Sequence, residues 1–390
     1  MKHSPLLLAA LAAILAGCTM ADQNGTGGTL NLDPNAVVIP ADQVDSATAT
    51  DMNVQTEKEL KTGQVVISDE GDGLVRRITG VTTTSVSQVG AQIVRKVYLK
   101  TEDAALEDAI ASGDTSLDWG PLQVSQSSVV QSLPGVSVEA LTGKITLANT
   151  PFTLPGGVGT MTLNGTIEQT LNPTFNLKFA NRKVSLFEAG MAGSFKATLQ
   201  ATMKTSQKVP SGTSLEKPIV QFAPLRRAFL VGAVPVVVVV TPTVLGGVTA
   251  GTDSPITVNA GIAPTLDVNL GVRYDGAKWS ALGNNPAFSA SLNPTFSYTV
   301  PGGGQGQVYA RMVLDVKFYG LAGPSLEAKP FVSLNLNPSD VALKGGLSAS
   351  GKVEAGFKVL GKGMETAYAF PKTLDATQSY TCSGSKCTAN

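Results

Sequence analysis

Alternation of apolar and polar residues dominates this chain. Phe195, Ala197, Leu199, Ala201 and Met203 alternate with Lys196, Thr198, Gln200, Thr202 and Lys204, the period-two pattern of a strand with one face buried and one wet. Leu266, Val268, Leu270, Val272 and Tyr274 repeat it against Asp267, Asn269, Gly271 and Arg273, and Val308 to Phe318 shows it again. Val234 to Val240 differs, being apolar at every position around Pro235. Such a run predicts a strand covered on both faces, with the proline at its start or on an edge. Exposed during folding, the same run would be the main aggregation hazard.

Further toward the N-terminus the pattern is mixed. Val65-Val66-Ile67, Val75 to Val81 and Ile93 to Leu99 read as strands, whereas Ala105, Leu106, Ala109 and Ile110 fall at helical spacing within 102–111, with Gly113 where a helix would stop. Leu171-Asn172-Pro173-Thr174-Phe175 recurs as Leu292-Asn293-Pro294-Thr295-Phe296. Because proline biases its predecessor away from helix, each copy predicts a turn leading into a strand. Pro301 to Gly306 supplies a tight link of the kind used by meandering antiparallel sheets.

These elements predict a mainly β protein: an antiparallel sandwich or barrel-like body over 136–372, preceded by a small β-rich module with one short helix over 46–135. Residues 18–45, with Asn24-Gly25-Thr26-Gly27-Gly28, read as a flexible tether, and 373–390 as a tail. Strand runs near ten residues also suit a transmembrane barrel, but the terminal Thr388-Ala389-Asn390 lacks the aromatic closing strand of such barrels.

The first residues carry a different signal. Lys2 and His3 precede an apolar run from Leu6 to Ala16, too short to cross a bilayer, which takes about 20 apolar residues. It reads as an export signal. Leu15-Ala16-Gly17-Cys18 resembles the lipobox of bacterial lipoproteins. That resemblance implies cleavage of 1–17, acylation at Cys18 and a lasting hold on the membrane, since each buried CH₂ contributes about 0.8 kcal/mol. Thr19 rather than aspartate at the next position favours the outer membrane where two exist.

A second resemblance lies in Leu60-Lys61-Thr62-Gly63-Gln64-Val65-Val66, Gly73-Leu74-Val75-Arg76-Arg77-Ile78 and Leu106-Glu107-Asp108-Ala109-Ile110. In that order they resemble an N-terminal module of secreted bacterial surface proteins, although Gln64 replaces the usual aspartate. Tyr319-Gly320-Leu321-Ala322-Gly323-Pro324 with Lys329-Pro330-Phe331 resembles a later segment of the same proteins. The likeness implies architecture and location; it implies no activity.

Composition narrows the chemistry. Lys and Arg number 29 against 29 Asp and Glu, and loss of Lys2 leaves 28 against 29, so the chain lacks the basic excess of a nucleic-acid binder. His3 is the single histidine and leaves with the signal peptide, which excludes His-dependent nucleophilic catalysis and His-ligated zinc from the processed chain. Carboxylate chemistry, a Ser-Lys pair and oxygen-ligated calcium stay open. Asp69-Glu70-Gly71-Asp72-Gly73 lacks the ligand spacing of a calcium loop and reads as an acidic hairpin turn.

Asp114 and Asp118 beside Trp119 could form an acid–base pair next to a sugar-stacking ring, as in a carboxylate-dependent glycoside hydrolase. Arg76-Arg77 and Arg226-Arg227 read as strand-end or solvated charges. Cys382 and Cys387, with four residues between them, are expected to form a small disulfide in an oxidising compartment. The reading is therefore a lipid-anchored envelope protein with a structural, adhesive or binding role. Its partners are the membrane and other envelope components, with no catalysis, cofactor or metal. The alternative is a carrier of lipid or another apolar ligand inside a hollow β-fold.

Overall fold

In the computed structural model, residues 26–389 are described except 90, 140–142, 264, 283–286, 289–294, 299–302, 321–322, 337–340, 354–367, 370–373 and 384–385. The chain is mainly β, and its described residues form three sheets of 11, 10 and six strands. Among the described residues pairing is antiparallel except between Ala36–Val38 and Val65–Ser68.

The first sheet is organised by two long partners, Gly159–Ala180 and Lys183–Thr205, which pair along their whole length from Gly159↔Thr205 to Ala180↔Lys183. The expected alternation at 197–203 is met: the odd positions are buried and their neighbours face outward. The second sheet centres on Val234–Thr252, flanked by Gly304–Phe318 on one side and by Val209–Phe222 and Leu225–Val231 on the other. Ring contacts join the two sheets face to face. Phe318 of the second sheet meets Phe175 and Phe187 of the first edge to face, with centroids 5.5 and 5.4 Å apart. This is the sandwich form of the expected body.

The valine run lies where the sequence places it. Val234 through Val240 are all buried, and Pro235 is the second residue of its strand. Even positions share the inner face with Phe229, the partner of Val236, while Val237 faces outward against the third sheet. Gly73 sits so close there that a Cβ on it would lie 2.8 Å from Val237 Cβ and 2.6 Å from the Tyr319 ring. Gly73 also holds φ at +91°, so both space and backbone demand glycine. Val65, Ile67 and Val75 of the third sheet belong to the same continuous core as the valines, whereas Val66 and Ile78 face a smaller core with Ile39, Met52, Val54 and Leu99. The segments around Gly73 and Tyr319 touch at this seam.

Several boundaries differ from the sequence reading. Thr26–Leu32 is a strand paired with Ile110–Asp118, from Thr26↔Leu117 to Leu32↔Ile110, so 26–45 is not a tether; burial of Leu30 overrides its glycine-rich surroundings. Ile110–Asp118 also pairs with Gly159–Ala180. The boundary at 135/136 therefore falls inside one sheet, and the third sheet spans only residues 36–103. The expected helix over 102–111 is a three-residue 3₁₀ turn, Leu106–Asp108. Ala109 and Ile110 reach the core from the start of a strand instead.

The residues Leu171–Phe175 run through the middle of a strand and form no turn. Leu171, Phe175, Leu177 and Phe179 are buried on one face, and this continuous apolar stripe outweighs the turn preference of Asn-Pro. Pro173 accepts the Trp119 N–H, 3.0 Å, at the point where the neighbouring strand has already ended at Asp118, so its missing donor is not called on. The second copy lies largely outside the described residues. The tail at 373–390 is likewise not loose: Leu374–Ser383 and Lys386–Ala389 extend the second sheet.

Gly246 and Gly247 show how the central strand admits large neighbours on both faces. Phe152 fills the space over Gly246 on the inner side, and the Tyr309 ring covers Gly247, where a Cβ would lie 2.0 Å from Cζ. Gly247→Ala should therefore cost about 1–3 kcal/mol by overpacking, read as a lowered denaturant midpoint. In a Tyr309→Ala background the same change should cost clearly less. Equal losses in both backgrounds would refute this contact as the reason for the glycine.

Candidate binding cleft

The sequence-derived candidates are mostly dispersed by the fold. Cys18 lies outside the described residues. Asp69–Gly73 does form a hairpin turn, joining Val65–Ser68 to Leu74–Val89. Arg226 donates from Nε and Nη2 to the carbonyls of Gly71 and Asp69, which clamps this turn to the second sheet. Arg227 donates to the Trp119 carbonyl and lies 5.3 Å from the Trp119 ring centroid. Neither arginine is a simple solvated charge; each ties layers together. Arg76 pairs with Asp103, and Arg77 with Asp108 at 2.9 Å.

Asp114 and Asp118 project from the wet face of Ile110–Asp118, while Trp119 turns inward against Phe229, with centroids 6.1 Å apart. Asp118 is engaged by the Gly120 N–H at 2.8 Å. The expected acid–base pair beside a stacking ring is therefore not assembled: alternation puts both carboxylates on one face and the indole on the other. Among the described residues no three His, Cys, Asp or Glu side chains group as a metal site. Cys382 and Cys387 are direct cross-strand partners.

What the fold does assemble is a cleft of about 600 Å³ where the third sheet meets the end of the first. Asp33, Arg77, Glu107, Asp108, Arg182 and Lys183 supply its charges, and Val65, Val184 and Tyr274 its apolar wall. Each charge is placed by a local feature. Asp33 opens the Asp33-Pro34-Asn35 turn after the first strand, and its Oδ1 accepts the Asn35 N–H at 2.9 Å. Glu107 and Asp108 come from the 3₁₀ turn; Glu107 Oε1 accepts the Val184 N–H at 2.7 Å, and Asp108 meets Arg77. Arg182 and Lys183 sit at the two-residue turn between the long partners, where Asn181 and Arg182 hold φ at 52° and 59°. This is the left-handed pairing that hairpins favour.

Asp33 is deep, and Arg182 and Lys183 stand at the rim. The Asp33 side chain is 4% exposed against 62% for Arg182. Their atoms Oδ2 and Nη2 are 2.6 Å apart, yet Oδ2 accepts no directed hydrogen bond, so the contact is an ion pair with poor N–H alignment. Burial, followed by the charges of Glu107 and Asp275, raises the pKa of Tyr274.

Arg77, Glu107 and Asp108 fall in segments that stand out in the sequence, but nothing there groups them with Asp33 or Arg182. Asp33-Pro34-Asn35 and Asn181-Arg182 are turn signals, readable as such, but nothing local tells that the two turns meet. No family model, curated protein or solved structure matches the chain.

A second polar cluster lies on the outer face of the second sheet. Arg311 bridges Glu216 and Glu327, the latter at 3.0 Å, and Tyr309 donates to Glu216 at 2.8 Å while Lys329 Nζ lies 3.8 Å from its ring centroid. Burial lowers the pKa of Arg311, but Glu327 and Glu216 more than offset it and the net shift is upward. Burial and then the Glu216 bond push the Tyr309 phenol up to about 12. The unfolded phenol ionises near 10, so the stabilisation from keeping it neutral is fully present below pH ~10 and is lost as pH rises through about 12. Tyr309→Phe should therefore flatten the stability decline between those pH values. An identical decline in both proteins, followed by denaturant titration, would disprove it.

Proposed function

We propose that this protein is a lipid-anchored envelope protein that works by holding and contacting a partner, and that it is not an enzyme. The observation that carries the binding half is the makeup of the cleft. Asp33 is held by Arg182, Asp108 by Arg77 and Glu107 by a backbone N–H, an arrangement that fixes charges in place for recognition. The anchoring half rests on the apolar run and the Leu15-Ala16-Gly17-Cys18 lipobox. Among the described residues no helix is long and apolar enough to cross a membrane, which is silent on strands. The carrier alternative has less support, because Phe175, Phe187 and Phe318 fill the layer between the sheets where a hollow would be needed. Glycoside hydrolysis likewise has less support, because Trp119 turns inward, away from the face that carries Asp114 and Asp118.

The Cys382–Cys387 disulfide belongs to the same reading. Directly opposed antiparallel residues have Cα atoms about 4.5–5.5 Å apart, within the range a disulfide spans, and an exported chain meets oxidising conditions. So small a ring contributes only locally.

Two outcomes are expected. Cys18→Ser should move the protein from the detergent phase to the aqueous phase, or leave it unprocessed, and abolish incorporation of a palmitate analogue; identical partitioning and labelling of mutant and wild type would end the lipoprotein reading. Mass spectrometry of freshly exported protein should show a two-hydrogen gain on reduction, with the Cys382→Ser/Cys387→Ser variant still folded. Two free thiols before reduction would sink the disulfide.

A further inference from the structure

We infer that the cleft is a site for a small zwitterion, whose ammonium pairs with Asp33 while its anionic group meets Arg182 and Lys183 at the rim. The inference deepens the reading of the protein as a binding protein and rests on it. Four observations carry it. First, Asp33 is almost wholly buried, yet its Oδ2 accepts no hydrogen bond. A buried carboxylate oxygen without a directed donor is costly, and an ammonium, with three donors to aim, would satisfy it.

Second, the group now beside that oxygen stands at the surface. Arg182 is 62% exposed, so its side chain can swing outward, while its backbone is fixed by the bond from its N–H to the Ala111 carbonyl, 2.9 Å. The guanidinium stands in for the ligand's cation. On exchange, Asp33 trades one positive partner for another, and Arg182 is freed to meet the ligand's anion, so no charge is left buried alone.

Third, Lys183 forms no ion pair among the described residues and adjoins Arg182 at the same rim, which gives the outer half of the cleft a surplus positive charge. Fourth, the turn holds Arg182 at φ 59°, a conformation where glycine would be unstrained. Strain at a non-glycine residue is retained where the side chain has work to do. The volume of about 600 Å³ exceeds a single amino acid and accommodates a dipeptide or a lipid headgroup. Both sources share one chemistry, an ammonium and an anion a few atoms apart.

The test is calorimetric titration of the full-length protein in detergent micelles with three probes: L-alanyl-L-alanine, O-phosphoethanolamine and N-acetyl-L-alanyl-L-alanine, which lacks the ammonium. At least one zwitterion should bind with millimolar or better affinity, and acetylation should weaken the dipeptide at least tenfold. Preference for the dipeptide assigns the site to free peptides, and preference for phosphoethanolamine to lipid headgroups. Asp33→Asn should lose at least tenfold for the preferred probe at an unchanged melting temperature. Should that variant misfold, Lys183→Gln, which alters only the rim, should still weaken the same probe several-fold.

No heat from either zwitterion, equal binding of the acetylated dipeptide, or unchanged affinity in a folded variant overturns the site. Detergent partitioning of the same preparation reports separately on anchoring, so failure of one claim leaves the other standing.

Discussion

A strand that is apolar on both faces must be covered on both, and the layering of this protein follows from that requirement. Val234–Val240 cannot sit at a wet surface without exposing several valine side chains at about 25 cal/mol per Å² of apolar area. One cover is the first sheet, reached through Phe229 and the rings around Phe318. The other is the third sheet, pressed so close that Gly73 has no room for a Cβ beside Val237. The arginine clamp on the 69–71 turn and the buried Tyr319, whose hydroxyl donates to the Pro235 carbonyl, then fix the angle at which that cover sits. The cleft is a by-product of this arrangement: once the third sheet is docked on the second, its side meets the end of the first, and the turns carrying Asp33 and Arg182 face each other.

Much of the fold was legible in the sequence because burial in a two-layer sheet leaves a direct trace, an alternation with period two. The 195–204 strand and the valine run were readable from that trace alone. What misled were segments whose local preference opposes their tertiary setting. Asn172-Pro173 prefers a turn but lies inside a buried stripe, and Thr26-Gly27-Gly28 prefers a loop but supplies an edge strand. Residues 105–110 mimic a helix because Ala105, Leu106, Ala109 and Ile110 are all buried, though the last of them faces inward from a strand.

The cleft was illegible for a different reason. Its charges come from positions 33, 77, 107–108 and 182–183, which no single window joins, and only sheet topology brings them together. The grouping suggested at 114, 118 and 119 is split by the same geometry that made the strands readable: even spacing keeps both carboxylates on one face, and one more step sends Trp119 to the other. Chemistry assembled across sheets leaves no spacing to find.

The third sheet departs from Leu32 and returns at Ile110, residues that are themselves paired. Its 33–109 span is thus an insertion whose two ends are adjacent in space, and closing the ends of a long segment costs only about 0.6 kcal/mol more for each doubling of its length. Lengthening or shortening loops within it changes no register in the large sheets. The module can therefore change in size, or in what it presents outward, while the sandwich beneath stays the same, which makes it a head that can be altered without touching its base.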